Sequence, residues 1–231
     1  MADHQQAVSG AKRVAGYRAA EMIEDGMVVG LGTGSTVFFM IERLQSRIRD
    51  GMEILGIPTS YQTAIRAREY EIPLTTLDDH PAIDIAVDGA DQIDPERRLI
   101  KGRGAAHTRE KIVAAAALKF IVVSDEAKIV TRLSGTVPVE VLPYGVRPVM
   151  DHLRDLGSLP VIREGVKKDG PVISDNGNFI LDCSFAEIAD PEGLEASLAG
   201  IAGVVESGLF TGFTGKTTII VGGEKECRII H

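Results

Sequence analysis

Residues 27–31 form an apolar run with no polar alternation. Gly32-Thr33-Gly34-Ser35 follows, and residues 36–48 then take up a helical spacing with Val37, Met40, Ile41 and Leu44 on one side. So short an unbroken run suits a strand buried on both faces, as occurs when helices cover both sides of a parallel sheet. The rhythm repeats: a strand over 53–57, a helix over 61–70, strands over 73–77 and 83–87, a helix over 108–118 and a strand over 120–124. Strands alternating with helices at this interval predict βαβ units, a mostly parallel sheet and right-handed crossovers. Ahead of the first strand, the spacing of Ala7, Val14, Tyr17, Ala20 and Met22 predicts a helix over 5–23, ended by Asp25-Gly26.

After Lys128 the order changes. Strands are expected over 137–142, 160–163, 179–183 and 204–209, with helices over 146–156 and 192–198. That β-α-β-β-α-β succession is the split-βαβ, ferredoxin-like arrangement, and Asp175-Asn176-Gly177-Asn178 supplies a turn between its middle strands. The β-branched run over 217–222 reads as a return to the first sheet. The chain of 231 residues has room for two modest domains. It is therefore read as α/β: a Rossmann-like, mostly parallel sheet flanked by helices over 1–134 and 212–231, interrupted by a smaller ferredoxin-like α+β domain over 135–211.

Composition narrows the function. A formal charge of −8 argues against nucleic acid as a partner, because phosphate-backbone binding needs clustered Lys and Arg, though a local basic pocket for a small anion stays possible. Cys183 and Cys227 are the only cysteines, which excludes a cysteine-rich zinc module and fits a reduced compartment. They read as a buried strand residue and an ordinary thiol. The charge-free stretch over 27–41 is shorter than the roughly 20 apolar residues of a membrane span. The polar start with Asp3 and His4 is not that of a secretion signal, so no membrane partner and a cytoplasmic location are expected. Several of the 25 glycines cluster at 30–34 and 102–104, where backbone would approach a ligand.

Three segments carry candidate chemistry. Gly30-Leu31-Gly32-Thr33-Gly34-Ser35-Thr36 joins a strand to a helix, whose first N–H groups and dipole suit an anion such as a phosphate. The dinucleotide pattern fails, because Ser35 or Val37 stands where its last glycine belongs; a Walker A lysine is missing, and a plain tight turn is the alternative. The second segment, Asp88-Gly89-Ala90-Asp91, lies just past the carboxyl end of a strand, the ligand-binding edge of open α/β sheets. Carboxylates there bond sugar hydroxyls, move protons or hold a cation; otherwise Asp88 caps a turn and Asp91 and Asp94 are solvated. No further His or acid cluster sits near them at ligand spacing. The third, Lys101-Gly102-Arg103-Gly104-Ala105-Ala106-His107-Thr108-Arg109-Glu110, brings a lysine suited to an oxyanion and a glutamate suited to general base work. The alternatives are an exposed cation and a surface acid that favours the helix dipole.

Together, Gly32-Thr33-Gly34-Ser35-Thr36, Asp88-Gly89-Ala90-Asp91, Lys101-Gly102-x-Gly104-Ala105-Ala106 and Thr108-Arg109-Glu110-Lys111 resemble the type A ribose-5-phosphate isomerases over essentially the whole chain. The resemblance implies interconversion of ribose 5-phosphate and ribulose 5-phosphate through an enediolate, no metal or organic cofactor, and a homodimer or homotetramer. It implies Glu110 as the base between C2 and C1, Lys101 stabilising the negative oxygen, Asp88 assisting ring opening and proton transfer between oxygens, and Asp91 orienting hydroxyls. Thr33, Gly34, Ser35, Thr36, Gly89, Ala90, Gly102, Arg103, Gly104 and Lys128 complete the implied substrate-binding set.

Two positions depart from the family pattern. Arg103 stands where many members carry a third glycine, and changes little if turned outward or adds a phosphate contact if turned inward. His107 stands where an apolar residue is common and reads as a partly buried residue at the helix start; His4, His80, His152 and His231 read as surface residues. A sugar-phosphate sensor of the same superfold is the competing function, but a degenerate one would lack the Lys101 and Glu110 pair. A regulator would carry a helix-turn-helix, and one helix alone is expected before Met27. A nicotinamide dehydrogenase fails on glycine spacing and on Ile57-Pro58-Thr59 where its ribose-binding acid belongs.

Overall fold

The computed structural model describes residues 2–231, with side chains from residue 9 onward, so His4 lies outside the described side chains. The chain begins α1 (Ala2–Glu21), β1 (Val28–Leu31), α2 (Ser35–Arg49), β2 (Leu55–Pro58), α3 (Tyr61–Glu69) and β3 (Ile83–Gly89). Next come β4 (Gln92–Ile93), β5 (Leu99–Ile100), α4 (His107–Ala116), β6 (Ala117–Asp125), β7 (Gly135–Val141) and α5 (Val146–Asp155). The remainder is β8 (Leu159–Ile162), β9 (Phe179–Phe185), α6 (Pro191–Ala199), β10 (Val204–Ser207), β11 (Leu209–Phe210), β12 (Thr217–Gly222) and β13 (Cys227–Ile230).

Two compact units result. One holds the chain up to Ala90 with Arg109–Ile129 and Gly215–His231; the other holds Asp91–Thr108 and Val130–Thr214. The division differs from the one read in sequence chiefly in 91–108, which joins the second unit because β4 and β5 pair with β11. The chain passes from the second unit to the first inside α4.

In the first unit a six-stranded sheet runs in the order β13-β12-β6-β3-β1-β2. All neighbours are parallel except β12 and β13, whose antiparallel pairing closes one edge. This is the expected Rossmann-like α/β body. The 217–222 run does return to it, and β13 is an addition that the sequence did not signal. Val37, Met40, Ile41 and Leu44 of α2 are buried as their spacing predicts, together with Val29, Leu31, Ile85, Val87, Ile121 and Val123 of the sheet. Burying each such aliphatic side chain contributes about 1.5–3 kcal/mol. Helix α1 departs from expectation: Ala15, Ala19, Ala20 and Ile23 are buried, whereas Val14 and Tyr17 are only half-buried. Small side chains let it lie close against α2 and the sheet.

Two more elements differ. Residues 73–77 form no strand; a single bridge joins Leu74 to Gly56, and Pro73 accepts from Gly56 N–H at 2.8 Å but has no N–H to extend a ladder. Helix α4 was expected to reach residue 118 but stops at Ala116. There the Lys216 ammonium donates to the carbonyls of Ala115 (3.0 Å) and Ala117 (2.7 Å) and satisfies the helix end.

The second unit contains the expected β-α-β-β-α-β module as an antiparallel sheet ordered β10-β7-β9-β8. Val137, Val139, Val141, Leu181 and Cys183 cover one face and pack against Val149 and Leu153 of α5 and Leu198 of α6. The turn at 175–178 forms with Gly177 at φ 82° and hydrogen bonds from Gly177 N–H to Ser174 O and from Ser174 N–H to Asn178 O, both 2.9 Å. The strand expected over 204–209 is interrupted at Gly208. β10 stays in the four-stranded sheet, while β11 joins β5 and β4 in a separate three-stranded sheet.

Candidate active site

In the first unit, β1 ends at a loop whose backbone the sequence dictates. Gly34 precedes α2 with φ 119° and ψ 171°, a conformation open to glycine and costly for side chains. Gly32 is packed against Asp88 so tightly that a Cβ would fall 2.4 Å from its carboxyl group. The Asp88 Oδ1 accepts the Thr33 N–H at 3.1 Å and the Gly89 N–H at 2.7 Å, so the acid at the end of β3 fixes the glycine loop at the end of β1. The cap anticipated for Asp88 is therefore real, and it ties two candidate loops together. Ser35 and Thr36 open α2, where unpaired N–H groups attract an anion. Glu110 occupies the first turn of α4 and is 6% exposed, and Asp88 is 2% exposed, so neither is a solvated acid. Lys128 is half-buried at the end of a single 3₁₀ turn after β6, a turn that the Asp125 carboxylate caps through Ala127 N–H at 3.1 Å.

The sequence reading missed what surrounds this loop. The Thr33 hydroxyl lies within hydrogen-bond distance of the hydroxyls of Ser60 (2.7 Å), Thr59 (2.9 Å) and Thr63 (3.1 Å), and Thr63 donates to the Gly32 carbonyl at 2.8 Å. Ser60 also caps α3 by accepting Thr63 N–H at 3.1 Å. The Lys12 ammonium donates to the Ser35 hydroxyl at 3.1 Å. A cavity of about 560 Å³ opens beside the loop, lined by Lys12, Gly32, Gly34, Ser35, Gln62 and Arg66 among others. Two cations stand beside a helix N-terminus here, an arrangement suited to an anion, although Arg66 also pairs with Glu69 at 2.9 Å. Lys12 was invisible because it stands 23 residues from Ser35, in a helix read only for its apolar face.

The segment 101–108 belongs to the second unit. Lys101 is 3% exposed, not the exposed cation that was the alternative; its N–H donates to Gly208 O at 2.8 Å and its ammonium lies 5.5 Å from the centre of the Phe210 ring. Gly102 (φ 108°) and Ala105 (φ 60°) wind the loop tightly, with Ala105 N–H bonded to Gly102 O at 3.0 Å. Asp91 is half-buried, and its Oδ2 accepts the Arg103 N–H at 3.0 Å. Arg103 and Gly104 are exposed, and Gly89 and Ala90, in the first unit, are half-buried. His107 is more buried than expected, with no exposed surface, and its Nε2 is 3.3 Å from Glu206 O. Asp94, one of the acids suspected of being solvated, is buried instead, and its Oδ2 takes the Arg98 Nε–H at 2.6 Å.

Two charged residues that carried no sequence signal brace this segment. The Arg163 guanidinium donates to the carbonyls of Gly102 (2.9 Å) and Arg103 (3.1 Å), and its other nitrogens hold Asp182 at 2.9 and 2.5 Å. Glu140, fully buried in β7, accepts from the Thr108 hydroxyl (2.5 Å), the Ser174 hydroxyl (2.7 Å) and the amides of Asn178 (2.8 Å) and Asn176 (3.0 Å). Burial pushes the Glu140 carboxyl up, but the donors from Thr108, Asn178, Ser174 and Asn176 outweigh it and hold the group below the ordinary glutamate range.

Each unit thus buries titratable groups: Glu110 and Asp88 with a loop suited to an anion in the first, the Lys101 ammonium on a braced loop in the second. Among the described residues no group of three or more His, Cys, Asp or Glu is placed to hold a metal ion, and no helix is long and apolar enough to cross a membrane.

The family model described as ribose 5-phosphate isomerase A (phosphoriboisomerase A) matches residues 55–226. The ribose-5-phosphate isomerase A of Methanoregula boonei is 66% identical over 230 residues, covering 100% of this chain and 97% of that protein. That of Thermosynechococcus vestitus is 51% identical, over 97% and 98% of the two chains. The solved ribose 5-phosphate isomerase A of Methanocaldococcus jannaschii superposes with a TM-score of 0.90 at 44% identity, covering 95% of this chain and 97% of that one. A structure of D-ribose-5-phosphate isomerase in complex with phospho-erythronic acid gives a TM-score of 0.93 at 44% identity, over 97% and 99%.

Proposed function

This chain belongs to the ribose 5-phosphate isomerase A family, and on that premise we propose how its own residues interconvert D-ribose 5-phosphate and D-ribulose 5-phosphate. The reaction is an aldose–ketose isomerisation. A C–H beside a carbonyl is a weak acid, so the base must be ionised and held within about 3 Å, and the enediolate needs positive charge or donors near its oxygens. Glu110 takes the C2 proton, and the C–H electron pair moves into the C1–C2 bond as the carbonyl oxygen becomes negative. Lys101 stabilises that oxygen. Asp88 carries the proton between O2 and O1 and assists ring opening, with Asp91 orienting hydroxyls. The protonated Glu110 then delivers its proton to C1, and no redox partner is consumed.

The phosphate anchors the far end at Thr33, Gly34, Ser35 and Thr36, with Lys12 beside them. Gly89, Ala90, Gly102, Arg103, Gly104 and Lys128 complete the substrate contacts. Binding energy gathered at the phosphate helps hold the reacting end in place. Phospho-erythronic acid, the ligand of one relative, joins a phosphate to a planar carboxylate, two oxygens on a trigonal carbon that mimic an enediolate. A homodimer or homotetramer in the cytoplasm is part of the same reading. Leu159 and Val161, exposed on the outer strand β8, supply an apolar edge that such an assembly would cover; light scattering that finds monomer alone would remove that part.

The observation that carries the mechanism is the burial of Glu110, which an acid placed only to favour a helix dipole would not show. Positioned acid–base groups contribute about 10²–10⁴-fold. Glu110→Gln is expected to lose at least that much ketose formation from ribose 5-phosphate while still binding it, and the wild type is expected to keep its rate in EDTA. Turnover in Glu110→Gln near the wild-type rate would reject the assignment, and a sugar-phosphate sensor would show no turnover in either form.

A further inference from the structure

The segment 101–108, in whose loop Gly102 packs against His107 and Pro138, carries Lys101 and the start of α4. It is pinned by one face of the four-stranded sheet. Pro138 and Glu140 of β7 share that face with Asp182 of β9, Pro138 standing directly opposite Asp182. The other face is occupied by the core packed on α5 and α6. Arg163, just past β8, is fixed to Asp182 through two nitrogens and spends the third on the carbonyls of Gly102 and Arg103. Glu140 gathers four donors, and the Thr108 hydroxyl at the start of α4 is one of them.

A buried carboxylate is costly to desolvate unless its lone pairs are filled, and here they are filled by residues from two separate stretches, Thr108 and the 174–178 turn. Serine and asparagine at the 174–178 turn would serve as well with a neutral partner if a turn were all that was needed. Charge at the centre of the sheet makes the geometry strict, because charge-assisted hydrogen bonds are short and directional. Likewise, a lysine at position 163 could neutralise Asp182 but could not fork to the loop carbonyls as a planar guanidinium does.

We propose that Glu140 and Arg163 are positioning residues for the isomerisation: Arg163 sets the loop that presents Lys101, and Glu140 sets the first turn of α4, two residues before Glu110. Neither touches substrate. A displacement of about 1 Å in a reacting group costs as much as 100-fold in rate, so the effect falls on kcat rather than on affinity. This rests on the roles assigned above to Glu110 and Lys101.

The test is steady-state kinetics with ribose 5-phosphate, together with incorporation of solvent deuterium into the sugar as a direct reading of proton abstraction. Arg163→Lys, Glu140→Gln and Thr108→Val are each expected to lower kcat and deuterium incorporation by roughly 10–100-fold with KM moved less than about 3-fold. Thr108→Ser, which keeps the hydroxyl, is expected to restore the rate. Leu153→Ala in the opposite core serves as the control for mere destabilisation: it lowers the melting temperature and leaves kcat within about 2-fold. Variants of Arg163, Glu140 and Thr108 with wild-type kcat would overturn the inference, as would a Leu153→Ala enzyme of equal melting temperature that loses kcat to the same degree. Should Glu110→Gln itself turn over normally, the base assignment falls on its own evidence, whatever the other variants do.

Discussion

A glutamate in the first turn of a helix ordinarily gains about 0.3–1 kcal/mol from the dipole and stays in water. Glu110 has given up that water, as have Asp88 and Lys101. Their residue types and spacing were legible in the sequence because each follows a strand end or opens a helix, where chemistry gathers in α/β folds. Lys12, Arg163 and Glu140 were not legible. Each stands in an element read for its apolar pattern, and its side-chain partners lie 19 or more residues away. Cys183 was read correctly as a buried strand residue for the same reason that Glu140 was missed, since burial of an apolar strand position is what patterning predicts best. Burial pushes the Cys183 thiol to about 12, with the neighbouring Asp182 charge adding to it, from an ordinary value of 9.0. Its thiolate is the nucleophile, so an alkylating reagent at pH 8 is expected to label the half-buried Cys227 and spare Cys183 until denaturant is added. Peptide mapping that finds native Cys183 labelled as fast as Cys227 would contradict that burial.

At the level of elements, long periodic segments came through and short or interrupted ones did not. The unbroken apolar run of β1, the helical period of α2, β3 and the module from β7 to β10 are each distinct in the sequence, so their positions fell within a few residues of expectation. β4, β5 and β11 have two residues each, too few for any period to show. Residues 204–209 looked like one strand because apolar patterning is blind to a change of sheet. Gly208 makes that change: its N–H donates to Pro138 O at 2.7 Å, its carbonyl takes Lys101 N–H at 2.8 Å, and a Cβ there would fall 2.2 Å from the Lys101 carbonyl. That obstacle is backbone and cannot swing aside. Gly208→Ala should therefore displace the strand holding Lys101, costing about 1–3 kcal/mol in stability by overpacking and a larger share of activity. Urea denaturation and kcat measured together check this; an alanine variant with unchanged midpoint and rate would show that the junction yields freely.

For the whole molecule, the order of elements was the legible part and the choice of what to bury together was not. Alternating strands and helices announced a parallel sheet, and a change of rhythm announced the ferredoxin-like insertion; the observed strand order β10-β7-β9-β8 follows from that succession. Sequence gave no sign that the second unit would bury a carboxylate at the centre of its sheet, and this choice sets how stability responds to acid. The Glu140 carboxyl lies below its ordinary 4.5 when folded. The unfolded chain therefore takes up this proton at a higher pH than the folded one. Glu140 contributes stability that is fully present above about pH 4.5 and is lost as pH falls through the folded value. Glu140→Gln has no proton to take up there. The difference in melting temperature between wild type and Glu140→Gln should accordingly be largest from about pH 5 upward and should shrink steadily below pH 4.5. Melting curves for the pair from pH 3 to 7 test this directly. A difference that stays constant over that range would mean that folding does not shift this titration, and one that grows as pH falls would mean that the folded protein holds the carboxyl protonated, the brace on Thr108 then being a neutral hydrogen bond rather than a charge-assisted one.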